Sequence, residues 1–189
     1  MVDSISESGI ITPIIVRPKV GVGYEVISGH RRWEACKELG IESIPARVEY
    51  IDDDEATILM VNSNIQREHV LPSEKAFAYK MRMEALKHQG QTTLAQVGPK
   101  FSSEKIAAET GDSRNQVKRY IRLTYLIPSI LQMVDDGRIA FNPAVEISYM
   151  TEEHQTWLKE EMDMSDATPS LAQSRTLKDM SRNGTLTEN

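Results

Sequence analysis

SEKIAAETGDSRNQVKRYIR, residues 103–122, is the stretch on which the fold turns. Two short amphipathic runs flank Gly111, and their spacing is tightly constrained. The fifth residue, Ala107, is small, as it must be where a second helix crosses close. The ninth, Gly111, suits the left-handed backbone of a tight turn. Ile106, Val117 and Tyr120 fall where they would lock one run onto the other. Together these features predict a helix-turn-helix, with Ser113 as N-cap of the second helix.

The outward residues of that second helix are Arg114, Asn115, Lys118, Arg119 and Arg122, a set suited to the major groove of double-stranded DNA. Arg114 and Asn115, with Lys118, sit at the N-terminal end, where Arg matches guanine and Asn matches adenine. Arg119, Arg122, Lys105 and Lys100 are expected on phosphates, which set register without reading sequence. Ser113, at the helix start, completes the DNA-facing set.

The whole chain carries a net charge of -6, which by itself argues against a polyanionic partner. Its distribution reverses that inference. Lys and Arg stand 7 against 12 acidic residues over 1–70, 10 against 5 over 71–123, and 5 against 11 over 124–189. The cations thus concentrate in the third that holds the two-helix motif.

Upstream, residues 11–17 and 24–27 read as short strands joined by Gly21-Val22-Gly23. A helix follows from Gly29 through Trp33, Ala35, Cys36 and Leu39, with Gly40 as its stop. A further strand over 43–50 leads to the acidic run Asp52–Glu55, which suits the start of a helix reaching about Gln66. Downstream, Pro72-Ser73-Glu74 opens a helix whose apolar side is read as Phe77, Met81, Met83, Ala85 and Leu86, stopping near Gly90. A loop over 89–100 precedes helices near 103–109, 114–124, 128–136, 143–162 and 168–181. The fold class is therefore α+β: a small α/β domain over 1–70, then an all-α domain over 71–181, with 182–189 a frayed tail.

One cysteine, Cys36, excludes an internal disulfide and a thiolate zinc cage, and is expected buried. No apolar run approaches the roughly 20 residues a membrane helix needs, and Met1 leads into Asp3, Ser4 and Glu7 instead of a signal sequence. A cytoplasmic, nucleoid-associated protein without a membrane partner is expected. His69, His88 and His154 show no ligand spacing and are read as surface residues. Met60, Met81, Met83 and Met133 are read as core.

Between the second strand and its helix lies Ser28-Gly29-His30-Arg31-Arg32. A glycine turn feeding a helix N-terminus exposes backbone N–H groups, and adjacent arginines suit a phosphate chain. In that context the chain resembles the ParB/RepB partition family. GIITPIIVRP at 9–18 is similar to that family's opening segment, SGHRRWEA at 28–35 to its glycine-arginine phosphate motif, and SNIQRE at 63–68 to its second phosphate motif. LIPSIL and DDGRIAFNPA resemble the helices that follow the helix-turn-helix.

The resemblance implies a clamp that holds cytidine triphosphate (CTP) with magnesium in the N-terminal domain and recognises a palindromic DNA site for plasmid or chromosome partition. Gly29, Arg31 and Arg32, with His30 beside them, would cradle phosphates. Asn64 would help hold magnesium, Arg67 would contact phosphate, and Gly9, Ile10 and Thr12 would lie near the base. Self-association through the N-terminal domain and a ParA-type ATPase partner are implied too. The family carries glutamate where this chain has His30 and Ser63, and glutamine where it has Thr12. The implied activity is at most a slow CTP hydrolysis serving as a switch. The family's longer leader and C-terminal dimerisation domain are not found, so a shortened relative is expected. Two other readings compete. One is a sequence-specific regulator of a mobile element that uses no nucleotide. The other is a nucleotide-dependent enzyme on the related sulfiredoxin-like fold, which lacks an evident general base here.

Overall fold

A computed structural model of the 189-residue chain describes residues 2–19, 21–65, 70–92 and 99–187, leaving aside the side chains of 64–65, 89–92, 99–102 and 109. Two compact units emerge, Met1–Gln66 and Arg67–Asn189.

The first unit comprises α1 (Val2–Ser8), β1 (Ile14–Pro18), β2 (Tyr24–Ser28), α2 (His30–Glu38), β3 (Ala46–Val48) and α3 (Asp53–Ile65). Its sheet has the order β2-β1-β3, with β2 antiparallel and β3 parallel to the central strand. Alternation along β1 buries Ile14 and Val16, the period of two that a half-covered strand requires. The β3 strand is shorter than the 43–50 stretch expected. Pro45 has no N–H for the ladder and offers only its carbonyl, to Ile14 N at 3.0 Å. The acidic run starts α3 as a reciprocal cap: Glu55 N donates to Asp52 Oδ1 at 2.8 Å, and Asp52 N donates to Glu55 Oε2 at 3.2 Å.

The α1 helix was not expected. It buries Ile5 against Ala35 and the fully buried Cys36, with Val2, Ile10 and Leu39 around them.

The described residues of the second unit form helices joined by turns: α4 (Pro72–Thr92), α5 (Pro99–Thr110), α6 (Arg114–Leu123), α7 (Pro128–Asp135), α8 (Phe141–Ile147), α9 (Glu152–Ser165) and α10 (Leu171–Asn183). Its core gathers Ala76, Leu123, Ile130, Ile139, Ala144, Ile147 and Met162. Three expectations change. The buried face of α4 carries Ala76, Tyr79, Arg82, Met83 and Leu86, while Phe77 and Met81 are exposed. The helix expected over 143–162 is two, because Thr151 takes extended backbone and its Oγ1 accepts from His154 N at 3.2 Å, starting α9 afresh. The tail expected to fray from 182 is anchored instead: α10 runs to Asn183, Gly184 closes it, and Leu186 packs on the core.

Gln155 stitches the breaks together. Fully buried, it accepts from Ile127 N at 2.9 Å and donates to Tyr125 O and Met150 O, each at 3.1 Å. Buried backbone groups in both turns thereby find partners, which avoids a cost of about 1–3 kcal/mol for each group left unpaired.

Candidate nucleic-acid interface and anion site

Helices α5 and α6 cross as the sequence spacing requires. Ile106 and Val117 are wholly buried between them. Gly111 turns the chain at φ 75, and its N–H donates to Ala107 O at 3.1 Å. Ser113 then caps α6, its Oγ accepting from Gln116 N at 3.1 Å. Tyr120 meets Tyr79 edge-on with centroids 5.8 Å apart and tilts onto Phe141 at 4.7 Å, so aromatic packing fixes the helix from two sides.

The turn is pinned to α4. Asp112, just before the cap, accepts from Lys75 Nζ at 2.7 Å and from the Tyr79 hydroxyl. Burial works to lower the Lys75 pKa, but the hydrogen bond to Asp112 outweighs it and the pKa is raised. Burial likewise works to raise the Asp112 pKa, and the bonds from Lys75 and Tyr79 outweigh it and hold the carboxyl below its ordinary value. Burial, with the bond to Asp112, raises the Tyr79 pKa.

From this scaffold Asn115 and Lys118 on α6 and Lys105 on α5 stand exposed with no side-chain partner among the described residues. Arg114 is half-exposed and held by Glu104. Arg119 donates to Asn142 Oδ1 and lies 5.1 Å from the Phe141 centroid. Arg122 differs from expectation. Its guanidinium is sandwiched 4.3 Å from the Tyr125 ring and 4.1 Å from Tyr149, and it donates to Ser148 Oγ at 3.2 Å. It binds α6 to the turn after α8 instead of standing ready for a phosphate. Lys100 lies among residues whose side chains are outside the description.

In the first unit Gly29 enters α2 at φ 100. A Cβ there would meet Ile14 Cγ2 at 2.7 Å and Arg32 Nη2 at 3.2 Å, so both the left-handed backbone and the close approach demand glycine. No side chain caps α2, and among the described residues nothing accepts from the His30 or Arg31 N–H. His30 and Arg31 are exposed at that open helix start. Arg32 is turned back, donating to Thr12 O and, at 3.0 Å, to Pro13 O. Thr12 is thereby brought to the site, while Gly9 ends α1 by donating to Ile5 O at 2.9 Å and Ile10 packs on the α1–α2 core. The neighbouring Ile11, 85% exposed, is the apolar side chain that faces solvent in this segment. Asn64 lies on α3 with its side chain outside the description, and Arg67 is outside the described residues altogether.

The open N–H groups and exposed Arg31 fit an anionic phosphate. A metal ion finds less: among the described residues no group of three or more His, Cys, Asp and Glu is gathered. Two ties escaped sequence reasoning. Arg17 reaches Glu25 and Asp53, each at 2.7 Å, and clips β1 to β2 and to the start of α3. Lys75–Asp112 is the other. Partners so far apart in the chain leave no spacing signal.

Residues 1–65 match the family model described as the ParB N-terminal domain. The Thermus thermophilus chromosome-partitioning protein Spo0J is 34% identical over 161 residues, covering 85% of this chain and 54% of that protein. The first 65 residues match the ParB N-terminal domain, and the chain is similar to ParB-type partition proteins over most of its length. A probable chromosome 1-partitioning protein ParB from Deinococcus radiodurans is 30% identical over 162 residues, covering 86% of this chain and 51% of its own length. The chain thus spans about half the length of these curated relatives. C-terminally truncated ParB from Caulobacter crescentus, solved in complex with the centromeric parS site, shares the fold at a TM-score of 0.55 and 23% identity, covering 96% of this chain and 87% of that one. Among the described residues no helix is long and apolar enough to cross a membrane.

Proposed function

We propose that the chain is the DNA-reading core of a partition protein, recognising a palindromic, centromere-like site through α6. One observation carries the reading: Arg114, Asn115 and Lys118 project from the N-terminal half of a helix held rigid by buried Ile106 and Val117 and by the Lys75–Asp112 tie. Arg114 and Asn115 read base edges, Lys105, Lys118 and Arg119 hold phosphates, and Arg122 serves the scaffold. Selection of bound sequences from a random oligonucleotide pool tests this. An inverted repeat should emerge, and affinity should fall steeply with salt. A pool that shows no enrichment would overturn the reading.

The open start of α2 favours a second element, a nucleoside triphosphate, CTP by family resemblance, with its phosphates at Gly29, His30 and Arg31. Arg32 shapes the Thr12–Pro13 wall, and the family resemblance assigns Asn64 and Arg67 of the second phosphate motif to the same nucleotide. Magnesium would be shared between Asn64 and the phosphates. Nucleotide-driven pairing of N-terminal units and a ParA-type ATPase partner belong to the same reading, as does residence on the nucleoid. Calorimetry with CTP, with and without the selected DNA, tests it. Absence of any heat in either case would leave a DNA-binding regulator that uses no nucleotide.

A further inference from the structure

Between α9 and α10 runs a groove of about 500 Å³, continued by a hollow of about 240 Å³ that shares Leu158, Glu161 and Leu177 with it. Neither feature is lined by a residue of α6. The floor is apolar. Met162 is buried and joins the main core, with Leu158 and Leu177 packed against it. Ala167 and Ala172 keep one wall low, so a side chain could descend between the helices. In the adjoining hollow Trp157 lies beside Met164, which is 77% exposed although apolar. The turn after α9 closes one end, with Asp166 in left-handed backbone at φ 48.

The carboxylates that line the two features are Glu160 and Glu161, and no lysine or arginine lines either. Cations elsewhere on α9 and α10 are paired away from the groove: Lys159 with Asp163, and Arg175 and Lys178 with Glu146 at 3.4 and 2.7 Å. Glu160 and Glu161 remain exposed, without an ion pair among the described residues. An apolar trough flanked by unpaired carboxylates repels nucleic acid and anionic lipid alike. It suits a helix with apolar residues at i, i+3 and i+4 and lysine or arginine along its flanks. We propose that this groove docks a basic amphipathic segment of a partner protein, on a face separate from the DNA-reading helix.

Trp157 makes the proposal testable in the intact chain. With Trp33→Phe removing the second of the 2 tryptophans, emission is followed while a synthetic amphipathic leucine–lysine helix is added. A peptide with alanine in place of leucine keeps the charge and serves as control. The leucine peptide should shift Trp157 emission and bind with Kd on the order of 10–100 μM, as a short segment on a small interface does. The alanine peptide should bind about tenfold or more weakly, and Glu160→Lys with Glu161→Lys should cost a similar factor. Glu7→Lys with Glu42→Lys, the same charge change in the first unit, should cost little. Ala172→Phe, at an exposed position, should fill the groove and abolish binding without lowering the melting temperature. Equal binding of both peptides, or binding that survives Ala172→Phe or the Glu160/Glu161 reversal, overturns the proposal. So does light scattering that shows the free chain pairing with itself through this groove. DNA binding is measured alongside and should not change, so the groove and the α6 reading can fail separately.

Discussion

Arg114 Nη1 lies 2.9 Å from Glu104 Oε1: the side chain proposed to read a base edge is held by a carboxylate on the helix before it. Both partners are substantially exposed, so the pair is worth no more than about 1 kcal/mol and yields readily to a better partner. Its effect is selective. Guanine offers Arg114 two acceptors in return, whereas a phosphate met in passing offers little more than Glu104 already does. Glu104 would also repel the DNA backbone wherever the fit is poor.

Arg114→Ala should therefore cost about 1–3 kcal/mol on the selected site and relax base preference at one position of each half-site. Glu104→Gln should act in the opposite sense, tightening binding to random DNA more than to the site. Fluorescence anisotropy with both DNAs measures the two. A Glu104→Gln protein with an unchanged ratio of site to random affinity would show the ion pair to be incidental.

Arg122→Ala should behave as a scaffold mutation. Loss of two cation–π contacts and of the hydrogen bonds to Ser148 Oγ and Ser148 O should lower stability by about 1–3 kcal/mol. Thermal melting should register it, while the dependence of DNA affinity on salt stays near the parent's. Lysine should not rescue it, since an ammonium cannot fill a planar slot between Tyr125 and Tyr149. A salt slope reduced by about one, with unchanged melting, would instead make Arg122 a phosphate contact.

Gly29→Ala should destabilise the first unit by about 1–3 kcal/mol, because a β-carbon both strains the left-handed backbone and collides with Ile14. Arg31→Ala, in contrast, should leave melting unchanged and remove any heat of CTP binding. Arg32→Ala should speed hydrogen exchange around Thr12 and Pro13 while leaving DNA recognition standing.

The stability of the second unit should fall at both pH extremes. Asp112 and Glu146 have carboxyl groups held below their ordinary values of 3.8 and 4.5, Glu146 because bonds from Lys178 and Arg175 outweigh burial. Depressed acids stabilise above their usual pKa, and the benefit is lost as pH falls through the folded value. Lys75 and Tyr79 are raised above 10.5 and 10.0, so their contribution is complete below those values and disappears as pH climbs past them. Melting temperature against pH should show both limbs, and Asp112→Asn should shrink each of them.

The two-helix motif was legible because a close crossing leaves few alternatives: Ala107, Gly111, Ile106 and Val117 each meet a steric demand at a fixed spacing. The glycine turn at Gly29 was legible for the same reason. Elsewhere the apolar periodicity misled. On α4 the large apolar residues Phe77 and Met81 suggested one face, but Arg82 is fully buried, and counting it as polar shifts the phase of the pattern. The break between α8 and α9 was hidden because apolar residues continue through Ile147 and Met150. The cap that marks it, Thr151 with Glu152 and Glu153, was present in the sequence and outweighed by that run. Arg122 illustrates a further limit, since a cation on an outward helical position reads alike whether it meets solvent, a phosphate or two tyrosines.

The partners of Arg119 carry a kinetic consequence. Its guanidinium is steadied by the amide of Asn142 and the ring of Phe141, neither of which bears a formal charge. Rotamer freedom is restricted before any encounter, yet the attraction that draws a polyanion from a distance is undiminished. Such a helix should capture DNA quickly and lose little entropy on contact, whereas a carboxylate in the place of Asn142 would have achieved the same restraint at the expense of the association rate.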